Sequence, residues 1–373
     1  MNTWPYYSKA CRKDVDALLK KGGSLSAYRA SSAFPDWKGP AKDSWAWRLE
    51  REIEKRFKVK HAVGVHSGTA ALHASLHTLG LRGGEVITSP YSFSATPAAV
   101  LLAGGTPVFA DIDPYTFCIT KETVKRVLTK RTRAILPVHL FGGMADMHSL
   151  ESLGLPVIED ACQAVGARVG GEFSGTIGAA GAYSFNGSKN VPAGEGGALV
   201  TNSSRIADQA RLLGNHSENF GTKEVGYNYR INEVTACIAW HGVVELEERN
   251  RKRRELAGVL NQVRYLDLVR DYGMERTFDD PEGSHVFYTY PFYFGNEVKR
   301  DLFIRRMKQR GIDVQAGYTQ PLHTLPAFRK YQRGPLPVVE DVHQRLCLLN
   351  NVRPPSTEKQ MMEMAQAMRE ALE

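Results

Sequence analysis

No apolar run in this 373-residue chain approaches the roughly 20 residues that a membrane-spanning helix needs. The first five residues, Met1 to Pro5, lack the basic and apolar regions of a secretion signal. The five cysteines are scattered and show neither metal-ligand spacing nor a disulfide framework. These absences predict a cytoplasmic protein with no membrane partner and no metal centre.

The sequence also has no internal repeat, no low-complexity segment and no phosphate-binding P-loop. Its 48 basic and 40 acidic residues give a net charge of +8. Such a charge attracts nucleic acid or phosphorylated small molecules. The densest basic run, at 249–254, has no interleaved aromatic residues and follows acidic residues at helical spacing. It therefore indicates a solvated helix face, and we expect no nucleic-acid partner.

Apolar segments that alternate with helical patterns predict an α/β fold, with a mainly parallel seven-stranded sheet flanked by helices. A single long helix is predicted at 233–260, and a strand-like run at 285–293 opens a smaller α+β unit. We expect an N-terminal arm at 1–45, a large domain at 46–240 and a small domain at 241–373. The candidate strands of the large sheet are 61–65, 85–88, 107–111, 134–138, 156–160, 180–185 and 198–201.

Lys189 lies in a glycine-containing turn that follows one of these strands. The segment 182–190 reads Ala-Tyr-Ser-Phe-Asn-Gly-Ser-Lys-Asn, and a Gly-Glu-Gly-Gly run follows it at 194–197. A hydroxyl at a strand end, a tight turn and a lysine can place an amine beside a bound phosphate, as a pyridoxal-phosphate enzyme requires. Most lysines are merely solvated, so this interpretation needs the rest of a cofactor site elsewhere in the chain.

Two earlier segments supply candidates for that site. Ser67-Gly-Thr69 opens a helix whose N-terminus would stabilise a phosphate, although these residues suit an ordinary helix cap equally well. Asp160 ends a strand at the sheet edge where doubly wound folds bind ligands, and its carboxylate could meet a protonated pyridine nitrogen. Taken alone, Asp160 is slightly better explained as a helix cap. The order of these two segments and Lys189 is the order that a pyridoxal-phosphate transaminase requires.

A series of motifs from about residue 49 to the end of the chain carries a family resemblance. They are Ser-Gly-Thr-Ala-Ala-Leu at 67–72, Val-His-Leu-Phe-Gly at 138–142, Glu-Asp-Ala-Cys-Gln at 159–163, Tyr-Ser-Phe-Asn-Gly-Ser-Lys at 183–189, the run at 194–197 and Gly-Tyr-Asn-Tyr-Arg at 226–230. With them the sequence resembles the DegT/StrS-type sugar aminotransferases. The arm, with its 25–29 segment, resembles the family less closely. The resemblance implies an aspartate-aminotransferase-like fold and pyridoxal 5'-phosphate (PLP) as cofactor.

The resemblance also implies roles around the ring of the cofactor. Lys189 would bond to PLP and carry protons during the reaction, and Asp160 would pair with the ring nitrogen. Gln163 would bond to the ring oxygen, and Phe93 would stack on the ring. Lys189 and Asp160 are therefore the expected catalytic residues.

A second set of residues is implied for the phosphate of the cofactor. Ser67, Gly68, Thr69 and Ser184 would bind it within one subunit. Asn228 would reach it from the neighbouring subunit. The resemblance therefore predicts a homodimer with shared active sites.

The substrate contacts are less well defined by the sequence. Asn186 and Gly187 stand where many members of the family carry other residues, so the wall near Lys189 is expected to differ. Tyr318 and His323 lie in a segment that resembles the family's substrate loop, and ordinary loop packing explains them equally well. The shapes of the loops at 215–225 and 317–323 would determine the sugar.

The resemblance implies transfer of an amino group from glutamate to a keto-sugar on a nucleotide diphosphate. Dehydration or aromatisation of a cyclic keto acid on the same cofactor, as in the aminohydroxybenzoate synthases, is the first alternative. A non-catalytic regulatory homologue is the second. The retained Lys189 favours transamination, because relatives that become dehydratases replace the lysine by histidine.

Overall fold

The computed structural model describes residues 4–27, 39–217, 225–272 and 284–372. The strands are β1 (His61–Val65), β2 (Glu85–Thr88), β3 (Thr106–Phe109), β4 (Thr132–Leu136), β5 (Ile158–Asp160), β6 (Arg168–Val169), β7 (Glu172–Phe173), β8 (Ala180–Ser184), β9 (Gly197–Thr201), β10 (Tyr290–Tyr293), β11 (Gln315–Ala316) and β12 (Leu346–Leu349). The helices are α1 (Lys9–Lys21), α2 (Trp45–Phe57), α3 (Gly68–His77), α4 (Ala95–Leu102), α5 (Lys121–Val127), α6 (Met147–Glu151), α7 (Ser204–Gly214), α8 (Glu233–Val244), α9 (Leu246–Tyr272), α10 (Glu297–Gln309), α11 (Pro337–Arg345) and α12 (Glu358–Leu372). Single turns of 3-10 helix lie at Leu140–Gly142, Leu322–Thr324 and Arg329–Tyr331.

The large sheet has the strand order β3-β2-β4-β5-β8-β9-β1. A three-stranded part, β3-β2-β4, and a four-stranded part, β1-β9-β8-β5, are joined where β4 and β5 run side by side. The parallel bridges Ile135–Val157 and Val138–Asp160 make that join. β9 is antiparallel to both neighbours, whereas the other pairs are parallel. The mainly parallel seven-stranded sheet that the sequence predicts is confirmed.

This topology brings several chain segments to one edge of the sheet. β5 and β8 are parallel, so Asp160 and Ser184 end their strands on the same side. β1 runs in that direction too, because β9 lies between β1 and β8 and is antiparallel to both. The segment that starts α3 therefore follows β1 at the edge where Asp160 and Ser184 lie, which is the ligand-binding edge of such folds.

Helices cover both faces of the sheet. Leu199 belongs to an apolar core that α3 and α7 complete, whereas its neighbours Ala198 and Val200 belong to a second core with α2 and α8. Since successive strand residues point to opposite faces, the two cores lie on opposite sides of the sheet. The edge described above is thereby held between two layers of helices.

A second, antiparallel sheet has the order β10-β12-β11. It forms a third core with α9, α10 and α12, through Leu256, Leu260, Phe303, Met307, Met361 and Met364. The division of the chain into an arm and two domains stays a prediction. None of the helices in the described ranges is long and apolar enough to cross a membrane.

Two predicted elements are wrong in extent. The single helix at 233–260 is instead α8 and α9, separated at Glu245, whose ψ of −2° departs from the α-helical value. Only Tyr290–Tyr293 of the run at 285–293 is a strand. Phe287 has a φ of 43°, which no extended strand allows, and residues 285–289 instead bond to the 3-10 turn at Leu140–Gly142.

The interpretation of the basic run as a solvated face is also wrong for two of its arginines. Arg251 pairs with Glu248 on the exposed side of α9, as expected. Arg249 and Arg253 are 3% and 0% exposed, and both guanidinium groups lie over the ring of Trp4. A spacing of four residues places these two side chains on one helical face, which the N-terminal segment covers.

Candidate active site

A cavity of about 460 Å³ lies at the carboxyl edge of the large sheet. Every site residue that the sequence predicts lines this cavity except Asn228 and His323. The predicted residues that line it are Ser67, Gly68, Thr69, Phe93, Asp160, Gln163, Ser184, Asn186, Lys189 and Tyr318. The cavity is also lined by residues that are not among the predicted site residues. They are Ser92, Thr96, Cys162, Ser188, Glu195, Tyr288, Gln315 and Thr319.

The N-terminus of α3 forms a cradle suited to an anion. The Ser67 hydroxyl accepts a hydrogen bond from the backbone N–H of Ala70 at 3.1 Å. The N–H groups of Gly68 and Thr69 are the first of the helix, so no partner within the helix is available to them. A Cβ atom at position 68 would lie 2.9 Å from both Cys162 Sγ and Ser184 Cβ. Glycine therefore lets the start of α3 approach Ser184 closely, and the N–H groups of the helix start and the Ser184 hydroxyl lie at the same part of the cavity.

Asp160 presents a buried carboxylate to the cavity. It is 5% exposed, and its Oδ2 accepts a hydrogen bond from the Thr96 hydroxyl at 2.7 Å. The Ser92 hydroxyl lies 2.7 Å from Thr96 Oγ1 and donates to it, because Thr96 already donates to Asp160. Cys162 N donates to Asp160 Oδ1 at 3.3 Å. These donors hold the carboxylate in place without neutralising it, so a cationic nitrogen in the cavity would be stabilised beside it.

Gln163 and Tyr318 connect the large sheet to the loop that follows β11. Gln163 Oε1 accepts from Phe141 N at 3.1 Å, and Gln163 Nε2 donates to the Tyr318 hydroxyl at 2.9 Å. The hydroxyl of Tyr91 accepts from Tyr318 N at 2.8 Å. Burial raises the pKa of the Tyr318 phenol, so it stays neutral and keeps a proton to donate. Tyr318 therefore contributes a hydrogen-bond donor at the cavity.

Lys189 enters the cavity from a loop that its own backbone rigidifies. Gly187 N donates to Gly194 O, and Lys189 N donates to Asn186 O, both at 2.9 Å. The Nζ atom of Lys189 lies 4.3 Å from the centroid of the Tyr288 ring, within the range of a cation–π contact. Tyr288 was not predicted as a site residue, because its aromatic run suggested only a strand.

His323 and Asn228 lie outside the lining of this cavity. His323 is buried in a turn of 3-10 helix, with Nε2 3.1 Å from Glu340 Oε1. Asn228 is exposed, and its backbone is fixed beside the end of α7 by hydrogen bonds from Tyr227 N to Leu213 O and from Tyr229 N to Gly214 O. The structure thus separates both residues from the other site candidates within one subunit. Residues 218–224 of the predicted substrate loop at 215–225 lie outside the described residues, as do residues 28 and 29 of the motif in the arm.

The residues present fit a phosphorylated pyridine aldehyde. The cradle at Gly68 suits its phosphate, the Asp160 carboxylate suits its ring nitrogen, and the Lys189 amine suits its aldehyde carbon. Together with the order of the sheet, these features define the class of PLP-dependent transferases.

The sequence profile of the DegT/DnrJ/EryC1/StrS aminotransferase family matches residues 43–369. The chain belongs to this family, and it is a PLP-dependent transaminase. The expected family, fold class and cofactor are thereby confirmed.

Curated relatives cover most of the chain. A pleiotropic regulatory protein of Geobacillus stearothermophilus is 36% identical over 79% of this chain and 80% of its own. A UDP-N-acetyl-3-dehydro-alpha-D-glucosamine 3-aminotransferase of Acidithiobacillus ferrooxidans is 34% identical over 87% of this chain and 88% of its own. A GDP-perosamine synthase of Caulobacter vibrioides is 33% identical, with 78% and 81% covered.

Solved structures agree with this assignment. An aminotransferase from Psychrobacter cryohalolentis superimposes with a TM-score of 0.89 at 25% identity, over 99% of this chain and 98% of the other. A 3-amino-5-hydroxybenzoic acid synthase gives 0.86 at 25% identity, over 100% and 98%. NtdA from Bacillus subtilis, with the cofactor PMP bound, gives 0.81 at 26% identity, over 98% and 83%.

Proposed function

We propose that this transaminase moves an amino group from glutamate to the keto group of a nucleotide-linked sugar. The observation that carries the proposal is the agreement between the relatives and the cavity. Two of the relatives act, by their names, on sugars attached to GDP or UDP. A cavity of about 460 Å³ falls within the range of small-molecule sites and combines an anion cradle, a buried carboxylate and an amine.

The proposed work of the chain's own residues follows from their positions. Lys189 holds the cofactor covalently and, once released, carries a proton to or from the substrate carbon at its Nζ atom. Asp160 holds the positive charge at the ring nitrogen. The cofactor, when bound, supplies an electron-withdrawing ring and the aldehyde carbon that takes up the amino group.

Other residues orient the cofactor and the substrate. Ser67, Gly68, Thr69 and Ser184 would bind the phosphate at the start of α3, which combines free donors with the positive end of the helix dipole. Phe93 is 59% exposed at the cavity, where its ring is available to stack on the cofactor.

The substrate contacts are proposed at the mouth of the cavity. Asn186 and Tyr318 line it and offer polar groups to a sugar. His323 lies outside the lining, so its proposed contribution is to hold the substrate loop through Glu340.

The function is tested with the purified holoenzyme in two half-reactions. Glutamate should convert the yellow, lysine-bound cofactor into its amine form and release 2-oxoglutarate. Nucleotide keto-sugars are then screened for return of the yellow absorbance, and the aminated product is identified by mass spectrometry. Failure of every keto-sugar, with glutamate still turned over, would contradict the proposed acceptor and leave the transaminase assignment intact.

A second candidate function is favoured by the similarity to 3-amino-5-hydroxybenzoic acid synthase. In that case the enzyme would dehydrate or aromatise a cyclic keto acid on the same cofactor. Consumption of such a keto acid without formation of 2-oxoglutarate from glutamate would favour this candidate over amino transfer.

We further propose a homodimer in which Asn228 completes the site of the partner subunit. Its side chain is exposed, whereas its backbone is fixed to the end of α7. Asn228→Asp would place a negative charge near the phosphate, so we expect weaker binding of the cofactor and little activity. Mixing this variant with Lys189→Ala subunits should restore about a quarter of wild-type activity, because random pairing forms hybrids with one intact site. Mixtures no more active than their parents would contradict a shared site.

A further inference from the structure

Among the described residues, Tyr288 supplies the one aromatic ring that lies within cation–π distance of the Lys189 amine. The Nζ atom lies 4.3 Å from the ring centroid, and both residues line the cavity. Burial raises the pKa of the Tyr288 phenol, but the Lys189 ammonium and the Ser188 hydroxyl beside it outweigh that effect, so the pKa lies below its ordinary value. Lys189 therefore acts on the hydroxyl as well as lying over the ring, and the contact with the ring face rests on the distance.

The position of Tyr288 does not depend on Lys189. Arg253 Nη1 donates to Phe287 O at 2.8 Å and lies 3.3 Å from Tyr288 O. Before Tyr288 in the chain, Val286 N donates to Gly142 O at 3.0 Å. A Cβ atom at Gly142 would lie 2.8 Å from Tyr288 N, so glycine allows this close approach. The 3-10 turn at Leu140–Gly142 and α9 thus fix the backbone that carries the ring.

The hydroxyl of Tyr288 contacts both the Lys189 amine and the first member of a chain of polar side chains. Ser188 Oγ donates to Asn186 Oδ1 at 3.0 Å, so it accepts from the Tyr288 hydroxyl at 3.2 Å. Asn186 Nδ2 donates to Glu195 Oε1 at 2.9 Å. All four side chains line the cavity, so this chain forms the wall beside Lys189. It holds the ring with its face towards the amine.

The contact has a chemical consequence in a transaminase. A lysine that is bonded to the cofactor has no free ammonium group, whereas a lysine released from the cofactor has one. Only the released lysine can therefore bring a primary ammonium group against the ring face. Asp160 already accepts hydrogen bonds from Thr96 and Cys162, and Arg353, whose charge also acts on the Tyr288 phenol, has the same sign as the lysine.

We propose that Tyr288 is a positioning residue that holds the Lys189 ammonium whenever the lysine is not bonded to the cofactor. The ring thereby keeps the amine beside the reacting atoms and favours the amine form of the bound cofactor over the lysine-bound form. This inference rests on the proposed role of Lys189.

The test is an exchange equilibrium that needs neither substrate nor turnover. The holoenzyme is equilibrated with mixtures of pyridoxal phosphate and pyridoxamine phosphate, free cofactor is removed, and the absorbance band of the lysine-bound form gives its fraction. Pyridoxamine phosphate cannot bond to the lysine, so it leaves the amine on the ring. In Tyr288→Leu we expect the exchange constant to shift towards the lysine-bound form by roughly 2- to 30-fold, the strength of a lost cation–π contact.

Three further variants make the outcome decisive. Tyr288→Phe keeps the ring but loses the hydroxyl, which also contacts Lys189, so its exchange constant should shift less than that of Tyr288→Leu. Tyr288→Met introduces a flexible side chain without a ring, so its exchange constant should shift as in Tyr288→Leu. It replaces Tyr288→Leu in the test if the leucine variant does not fold. An unchanged exchange constant in both Tyr288→Leu and Tyr288→Met would overturn the inference. A shift in Tyr288→Phe as large as that in Tyr288→Leu would overturn it as well. In Lys189→Ala an unchanged band of the lysine-bound form would instead overturn the proposed lysine, so the two failures are distinguishable.

Discussion

Lys189→Ala is expected to lower kcat by at least about a thousandfold, because covalent attachment and proton transfer are lost together. The amine reaches the cavity from a loop fixed by backbone hydrogen bonds, and no other lysine of the described residues lines that cavity. A neighbouring lysine is therefore not available to replace it. The measurements are kcat for the complete reaction, the rate constant of the glutamate half-reaction and the absorbance of the bound cofactor.

The cofactor should still bind to Lys189→Ala, but without the absorbance band of the lysine-bound form. The cradle at Gly68 and the carboxylate of Asp160 do not depend on the lysine, so they retain their contacts. Lys189→Arg keeps the positive charge beside Tyr288 but has no deprotonated amine at working pH. We expect an equal loss of activity, which would show that the amine and not its charge is required.

The matched control is Lys330→Ala. Lys330 also lies over a tyrosine ring, with Nζ 5.1 Å from the centroid of Tyr331, but on the surface and away from the cavity. Its removal should leave kcat unchanged. Wild-type turnover in Lys189→Ala, or an equal loss in Lys330→Ala, would contradict the proposed role of Lys189.

The residues that the sequence could predict are those placed by local structure. Ser67 and Thr69 follow β1 directly, and Asp160 and Ser184 end β5 and β8. Strand alternation and the common direction of these strands bring them to one edge. The pattern of alternating strands and helices is visible in the sequence, so the edge and its residues were predictable.

Tyr288 could not be predicted in the same way. Its position depends on contacts distant in sequence, with Gly142 and with Arg253 of α9. It depends as well on the positive φ of Phe287, which breaks an aromatic run that looks like a strand. The burial of Arg253 has a similar origin, because the covering side chain, Trp4, belongs to the N-terminal segment and is distant in sequence. Single-sequence patterns carry little information about such contacts.

Asp160→Asn is expected to lower kcat roughly 10²- to 10³-fold, the effect of removing one preorganised electrostatic group. The amide has nearly the same size, so the fold should be retained. Its Nδ2 group would face one of the two donors, Thr96 Oγ1 or Cys162 N, that the carboxylate now accepts. The variant therefore loses both the negative charge and part of the geometry.

Thr96→Val separates those two losses. It removes the hydroxyl that donates to Asp160 at 2.7 Å but keeps the charge of the carboxylate. One hydrogen bond to a charged group corresponds to about a tenfold effect or somewhat more. We expect Thr96→Val to fall between the wild type and Asp160→Asn in kcat. Equal losses in both variants would assign the effect to geometry and contradict a dominant role of the charge.

Glu159→Gln is the matched control for the charge, since Glu159 is the adjacent buried acid of the same strand. Strand alternation directs its side chain to the face opposite Asp160. Outside the cavity lining, its carboxylate accepts hydrogen bonds from Gly175 N, Ile177 N and His139 Nε2. Substitution by glutamine places a donor against these donors, so the free energy of unfolding should fall by about 2–3 kcal/mol. Activity per folded molecule should persist, because the lost contacts stabilise the loop after β7 and not the cavity. Urea denaturation and kcat, measured on both variants, would thus separate a carboxylate that acts on the cofactor from one that supports the fold.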